Sequence, residues 1–187
     1  KDAGDDAKDG SNSENALKTW KKAYEVLRPG GTIVVCGPLK MVDQGYGEKL
    51  DILNKQATIT SKFDGQDYRL DAGATITGSD AYVYLHESTV FENVAFEMGN
   101  ARFYAGGYNL TFGDGITSKA INIQGGDYYF SVYGGRNSEI TGSPRITIRS
   151  GDYQSIYAGG YYNKVIGSPE IRLLGGTIQY ATGKDVS

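Results

Sequence analysis

INIQGGDYYFSVYGGRNSEITGSPRITIRSGDYQSIYAGGYYNKVIGSP, residues 121–169, repeats itself at an offset of 25 residues. Ile121-Asn122-Ile123 returns as Ile146-Thr147-Ile148, and Gly126-Asp127-Tyr128 as Gly151-Asp152-Tyr153. Gly134-Gly135 returns as Gly159-Gly160, and Gly142-Ser143-Pro144 as Gly167-Ser168-Pro169. A third copy opens at Ile171-Arg172-Leu173 and keeps Gly176. Short β-type pieces separated by Gly, Asp and Asn at a fixed period are the mark of a solenoid. A unit this short suits one coil of a parallel β-helix better than a sandwich strand and its return. Equivalent residues then stack on themselves. Ile121, Ile146 and Ile171 are expected to form one inward ladder, and Ile123, Ile148 and Leu173 the next. The Gly pairs fall at corners, where a positive φ or a close approach of neighbouring coils is needed.

Outward from the repeat, other short strands are legible. They are Thr32 to Gly37, Ala57 to Thr60, Ala74 to Thr77, Tyr82 to Leu85, Val94 to Met98, Phe103-Tyr104 and Leu110 to Phe112. Glu48 to Lys55 has room for a short helical turn. The only good helical pattern is Ser11 to Leu27, with Leu17, Trp20, Tyr24 and Leu27 on one face and capping-box spacing from Ser11 to Glu14. Pro29-Gly30-Gly31 stops it. A helix placed before the first strand is expected to cover the open end of the stack. Lys1 to Gly10, carrying Asp2, Asp5, Asp6 and Asp9, reads as a solvated polar tail without the ligand spacing of an EF-hand. The fold class is thus all-β, a single right-handed parallel β-helix with an N-terminal capping helix. Residues 1–31 form the lead-in and cap, and 32–187 the coils. The last coil, Glu170 to Tyr180, has no evident cap and reads as continuing into a longer protein.

Composition narrows the functions. A net charge of −3 with no basic block argues against nucleic acid or an anionic membrane as partner. No apolar run approaches the ~18 residues of a membrane span. One cysteine, Cys36, excludes an intrachain disulfide framework and reads as a small buried hydrophobe. The only histidine, His86, belongs to no recognisable dyad in the sequence. No secretory signal stretch is present, so a secreted protein would carry this chain as a mature or excised piece.

Asp9-Gly10, Asn15 to Trp20, Ala23-Tyr24 and Gly30-Gly31-Thr32-Ile33-Val34-Val35-Cys36-Gly37 carry a likeness, as does Thr89 to Phe96. So do three phrases that end in a Gly pair, at 103–107, 132–135 and 156–160. In these the chain resembles the N-terminal part of pectate-lyase-like right-handed parallel β-helices of secreted or wall-attached bacterial proteins. The resemblance covers nearly the whole chain. It implies an extracellular, cell-surface location and leaves the activity open, because this fold hosts lyases, hydrolases, adhesins and spacers.

A lyase of that kind implies calcium held by carboxylates beside a basic residue. Asp127 and Asp152 fall one repeat apart, and Arg145, Arg149 and Arg172 lie on neighbouring strands. Each Asp, however, sits in a Gly-Asp-Tyr turn that explains it without a metal. No cofactor and no catalytic residue is assigned; calcium is the one metal the pattern suggests. Tyrosine is the stronger signal. Tyr104, Tyr133 and Tyr157 each follow an apolar residue and precede a Gly corner, so alternation turns them outward as a row. Tyr108 and Tyr161 lie just past the corners. Such rows suit sugar rings or a partner protein, although a tyrosine ladder also stabilises stacked strands by itself. The expected function is a non-catalytic surface module, either an adhesin segment binding a polysaccharide or host glycan or another surface protein, or a rigid stalk. A calcium-dependent polysaccharide lyase is the second reading, and end-to-end self-association the third.

Overall fold

A computed structural model describes residues 1–42, 49–136 and 138–182. The chain is predominantly β, and almost all of its strands run parallel. One six-stranded sheet runs Gly31–Val34, Ala57–Thr60, Thr89–Glu92, Leu110–Phe112, Arg145–Ile148, Glu170–Leu173. A second, four-stranded sheet runs Leu39–Lys40, Ile76–Ser79, Ala95–Gly99, Thr117–Lys119. The third, again six-stranded, runs Lys49–Leu53, Tyr82–Leu85, Arg102–Tyr104, Ser131–Tyr133, Asp152–Tyr157, Thr177–Thr182. The chain visits the sheets in turn, and each strand pairs with its counterpart from the next pass, a solenoid-like arrangement. Lys49–Leu53 is a strand where the sequence left room for a helical turn; Glu48 lies outside the described residues.

The passes are unequal in length. Gly31, Ala57, Thr89, Leu110, Ile146 and Ile171 are successive register partners in the first sheet. Two residues on, the column reads Ile33, Ile59, Phe91, Phe112, Ile148, Leu173. Ile59, Phe91, Phe112 and Ile148 are fully buried there. The rings of Phe91 and Phe112 stack at 5.4 Å, while Phe103 meets Phe112 edge-on at 5.6 Å and lies tilted against Phe130 at 5.2 Å. Phe96 closes this aromatic centre at 5.5 Å from Phe91.

Two expected ladder members are not in the ladder. Ile121–Ile123 pairs antiparallel with Gly126–Tyr128 in a hairpin, and Leu110 and Phe112 occupy the places expected for Ile121 and Ile123. The turn explains it. Gln124 and Gly125 both have positive φ, 51° and 86°, the geometry of a tight two-residue hairpin loop. In the second copy Ser150 stands where the first has Gly125. Its hydroxyl donates to Gly113 O at 2.7 Å and accepts from Ile116 N at 2.8 Å, tying that segment down to the pass below. Leu173, expected inside, is 50% exposed at the last strand of its sheet.

The cap is shorter than its apolar stripe. Helix α1 spans Trp20–Val26, with Trp20 and Tyr24 buried. Its N-cap is Thr19, whose hydroxyl accepts from Lys22 N at 3.1 Å, not Ser11. The Asp6 carboxylate accepts from Lys18 N, Thr19 N and Thr19 Oγ1 at 2.7–3.0 Å. Three hydrogen bonds hold its pKa below the usual carboxylate range against the opposing effect of desolvation. Upstream, Asp9 and Asn12 accept from backbone N–H groups two or three residues on, so this stretch spends its polar side chains on turns rather than on a helix. The acidic lead-in is therefore not a loose tail: Asp2 N donates to Pro38 O, and Asp2 Oδ1 accepts from Lys40 N. At the other end of α1, Lys55 Nζ donates to the carbonyls of Tyr24, Glu25 and Leu27, which the helix leaves unpaired. The Trp20 indole donates to Lys40 O at 2.9 Å.

Ile146 and Ile121, equivalent in the repeat, should behave differently when truncated. Ile146→Ala opens a cavity in the core and should cost about 2–5 kcal/mol. Ile121→Ala, on a half-buried hairpin, should cost about 1 kcal/mol or less. Urea unfolding of the two variants checks this; equal losses would contradict the register.

Candidate functional site

The outward face of the third sheet is where the expected tyrosines gather. Alternation sends Val83, Phe103, Val132 and Ile156 inward, all fully buried, and sends Tyr84, Tyr104, Tyr133 and Tyr157 outward as register partners. Their rings stack at 5.0, 5.3 and 4.9 Å, with planes within 13°, 23° and 11° of each other. The row is thus real, and Tyr84 extends it by one member beyond the three in the sequence phrase. A parallel column runs alongside: Tyr82, Arg102, Ser131 and Ser155. Ser155 donates to Ser131 Oγ at 2.8 Å, and both are buried.

The row is not exposed along its length. Tyr104 is 0% exposed and Tyr133 4%. Tyr161, carried back by the Gly159-Gly160 corner, sits edge-on over Tyr133 at 5.2 Å. The Arg102 guanidinium lies 4.9 Å from the Tyr161 ring and 5.3 Å from the Tyr82 ring, and donates to the Tyr82 hydroxyl at 3.0 Å. Arg136 covers the far end, 5.9 Å over Tyr84. Each neighbouring ring and cation adds attraction beyond simple burial. The Tyr104 hydroxyl is buried with no partner among the described residues. Surface remains at Tyr82, Tyr84, Tyr157 and Tyr161, all half-buried, and at Tyr162, which is 63% exposed and bonds its hydroxyl to that of Tyr161 at 3.2 Å. Tyr108 is exposed in its own corner, and among the described residues no ring stacks on it.

The glycines at these corners serve close approach. A Cβ on Gly134 would lie 2.0 Å from Ala158 O, so the passes can close here only without a side chain.

His86 does have a carboxylate partner. Its Nε2 contacts Asp51, and its Nδ1 lies 3.0 Å from Arg136 Nη2. Guanidinium only donates, so Nδ1 accepts and the Nε2 proton goes to Asp51. Both ring nitrogens are thus engaged by side chains from other passes. Neither partner lies near His86 in the chain, so the pattern of residue types offered no signal for this pair. The two aspartates singled out for calcium do not come together as repeat equivalents. Asp127 lies across the hairpin from Asn122, which donates to it at 2.9 Å, while Asp152 pairs in register with Thr177. Arg145 and Arg172 both bind Glu170, at 2.7 and 2.5 Å. Those two bonds, Arg172's first, hold the Glu170 pKa below its usual range. Among the described residues no group of three His, Cys, Asp or Glu side chains is placed to hold a metal, and no helix is long and apolar enough to cross a membrane.

The chain matches no protein-family model, no curated protein and no solved structure.

The buried row has a pH signature. Burial pushes the Tyr133 hydroxyl up to about 12 and raises Tyr104 as well. An unfolded tyrosine ionises near pH ~10. The protonated row therefore contributes its full stability below about pH 10, and this contribution is lost as pH rises towards and through 12. Ultraviolet titration should show part of the 15 tyrosines ionising late, with urea stability falling over the same window. Replacing Tyr104 and Tyr133 by Phe should lessen that fall without removing it, because burial also raises Tyr24 and Tyr153. Simultaneous ionisation of all tyrosines near pH ~10 would contradict the burial.

Proposed function

We propose that this chain is a non-catalytic binding module, a right-handed parallel β-helix of a bacterial surface or secreted protein, that contacts a glycan through the outward face of its third sheet. The observation that carries the reading is the Tyr161–Tyr162 corner. Tyr161 is locked against Tyr133 and Arg102, and Tyr162 stands exposed beside it, with Tyr157 and Tyr82 at the margins. Rings fixed in advance lose little freedom on binding, and their faces suit the apolar faces of sugars while their hydroxyls suit the edges. The stacked Tyr84–Tyr104–Tyr133–Tyr157 row is the rigid backing of that surface rather than the surface itself. Right-handed winding follows the general preference of parallel crossovers. The lyase reading is less well supported, because Asp127 and Asp152 are not register partners and two of its three arginines, Arg145 and Arg172, are committed to Glu170.

A glycan array paired with an assay for unsaturated product separates the two. Binding without product is expected. Tyr161→Ala with Tyr162→Ala should weaken that binding about tenfold or more, the loss of well-placed aromatic contacts, while melting stays within a few degrees. Tyr104→Ala should instead cost about 3 kcal/mol of stability. Unsaturated product, or glycan binding indifferent to the Tyr161–Tyr162 change, would overturn the reading.

A further inference from the structure

The first strand of the six-stranded sheet that begins at Gly31–Val34 has a strand on only one side among the described residues. Val35 N donates to Thr60 O at 2.8 Å. Successive residues of a strand aim their backbone groups at opposite edges. Thr32 and Val34 therefore point their N–H and C=O groups away from the sheet, at its free edge. An open cleft of about 470 Å³ lies along that edge. Thr32, Ile33 and Val34 all line it, although their side chains alternate in direction, so the cleft follows the backbone rather than one face of the strand. Leu17, Trp20, Ala23, Val26 and Leu27 give the cleft an apolar stretch of lining, beside the polar Ser11, Asn12, Ser13 and Thr19. The cap covers the other two sheets more fully: α1 packs against Lys49–Leu53, and Trp20 is bonded to Lys40. The charged side chains along the cleft are Lys1, Lys18 and Arg28, all cationic, in a chain whose net charge is −3.

An unpaired strand edge, an apolar stretch of lining and a cationic rim together define what fits. We propose that this edge accepts an extended peptide as an added strand, with alternate apolar side chains in the cleft and a carboxylate against Lys18 and Arg28. The main-chain groups of Thr32 and Val34 supply the ladder, the apolar stretch reads every second side chain, and the rim sets the preference for acidic sequences. This site lies on a different sheet from the tyrosine face and stands independently of the glycan reading.

Trp20 is the only tryptophan in the sequence and lines the cleft, so its fluorescence reports occupancy. The probe is a synthetic peptide of alternating Val and Thr flanked by Glu, compared with a Lys-flanked version and one N-methylated at alternate residues. A saturable change with the Glu-flanked peptide is expected. Both comparison peptides should bind about tenfold more weakly or worse, since one loses the charge match and the other the ladder. Thr32→Pro removes a donor the sheet does not use, and should abolish binding while leaving melting within a few degrees. If that variant unfolds, Arg28→Glu serves instead and should reverse the preference between the Glu- and Lys-flanked peptides. No saturable change, equal binding of the N-methylated peptide, or a concentration-dependent dimer occupying the edge without peptide would overturn the proposal.

Discussion

Parallel, in-register pairing between successive passes is the constraint on which everything else rests. Neighbouring strands lie ~4.8 Å apart, so each side chain sits directly on its counterpart above and below. A column works only where each residue tolerates its register partners as neighbours, like on like in some columns and unlike in others, as with Tyr82, Arg102, Ser131 and Ser155. Aliphatic and phenylalanine side chains satisfy this inside, where Ile59, Phe91, Phe112 and Ile148 succeed one another. Stacked tyrosines satisfy it outside. The passes differ in length in their connections, while the strands keep register except between Leu50 and Leu53, where the pairing with Val83 and Leu85 shifts by one residue.

The same constraint produces the tyrosine face and the exposed edge. Rings held one strand apart fall naturally at stacking distance, and the 4.9–5.3 Å separations along the row follow from strand spacing rather than from any special packing. Glycines at the corners let the passes close on each other, and the Gly159-Gly160 corner returns Tyr161 over the row, where Arg102 holds it. At Gly31–Val34, Leu39–Lys40 and Lys49–Leu53 the constraint runs out, because among the described residues these strands are paired on one side only. The chain covers that end with a short helix pinned at both termini, by Asp6 through Thr19 and by Lys55 at the last carbonyls. The cover leaves a cleft along Gly31–Val34.

The predominantly β, parallel character of the chain was legible because the repeat exposes its columns: Ile146 over Ile171 and Ile148 over Leu173 are register partners at the 25-residue offset. The first copy misled for a local reason. INIQGG and ITIRSG differ by little as patterns, yet Gly125 permits a hairpin turn where Ser150 anchors a strand. The helix was overextended because Leu17 keeps the apolar period although Asp9 and Asn12 already divert the backbone into turns. The tyrosine row was visible through alternation, but its burial was not. What covers it, Tyr161 and Arg102, comes from different passes, and a single pass of sequence does not show which corner folds back over which strand. The His86–Asp51–Arg136 contact is hidden for the same reason.

The stacking of the first sheet depends on which strand lies beneath Ile146. Thr111 and Thr147 are outward register partners on adjacent strands, whereas the 25-residue offset alone would place Asn122 beside Thr147. Cα atoms ~4.8 Å apart are within reach of a disulfide. Mild oxidation of the double variants Thr111→Cys/Thr147→Cys and Asn122→Cys/Thr147→Cys decides it. The stacking described here predicts an intramolecular bond in the first and free thiols in the second; a bond in the second and none in the first would contradict it.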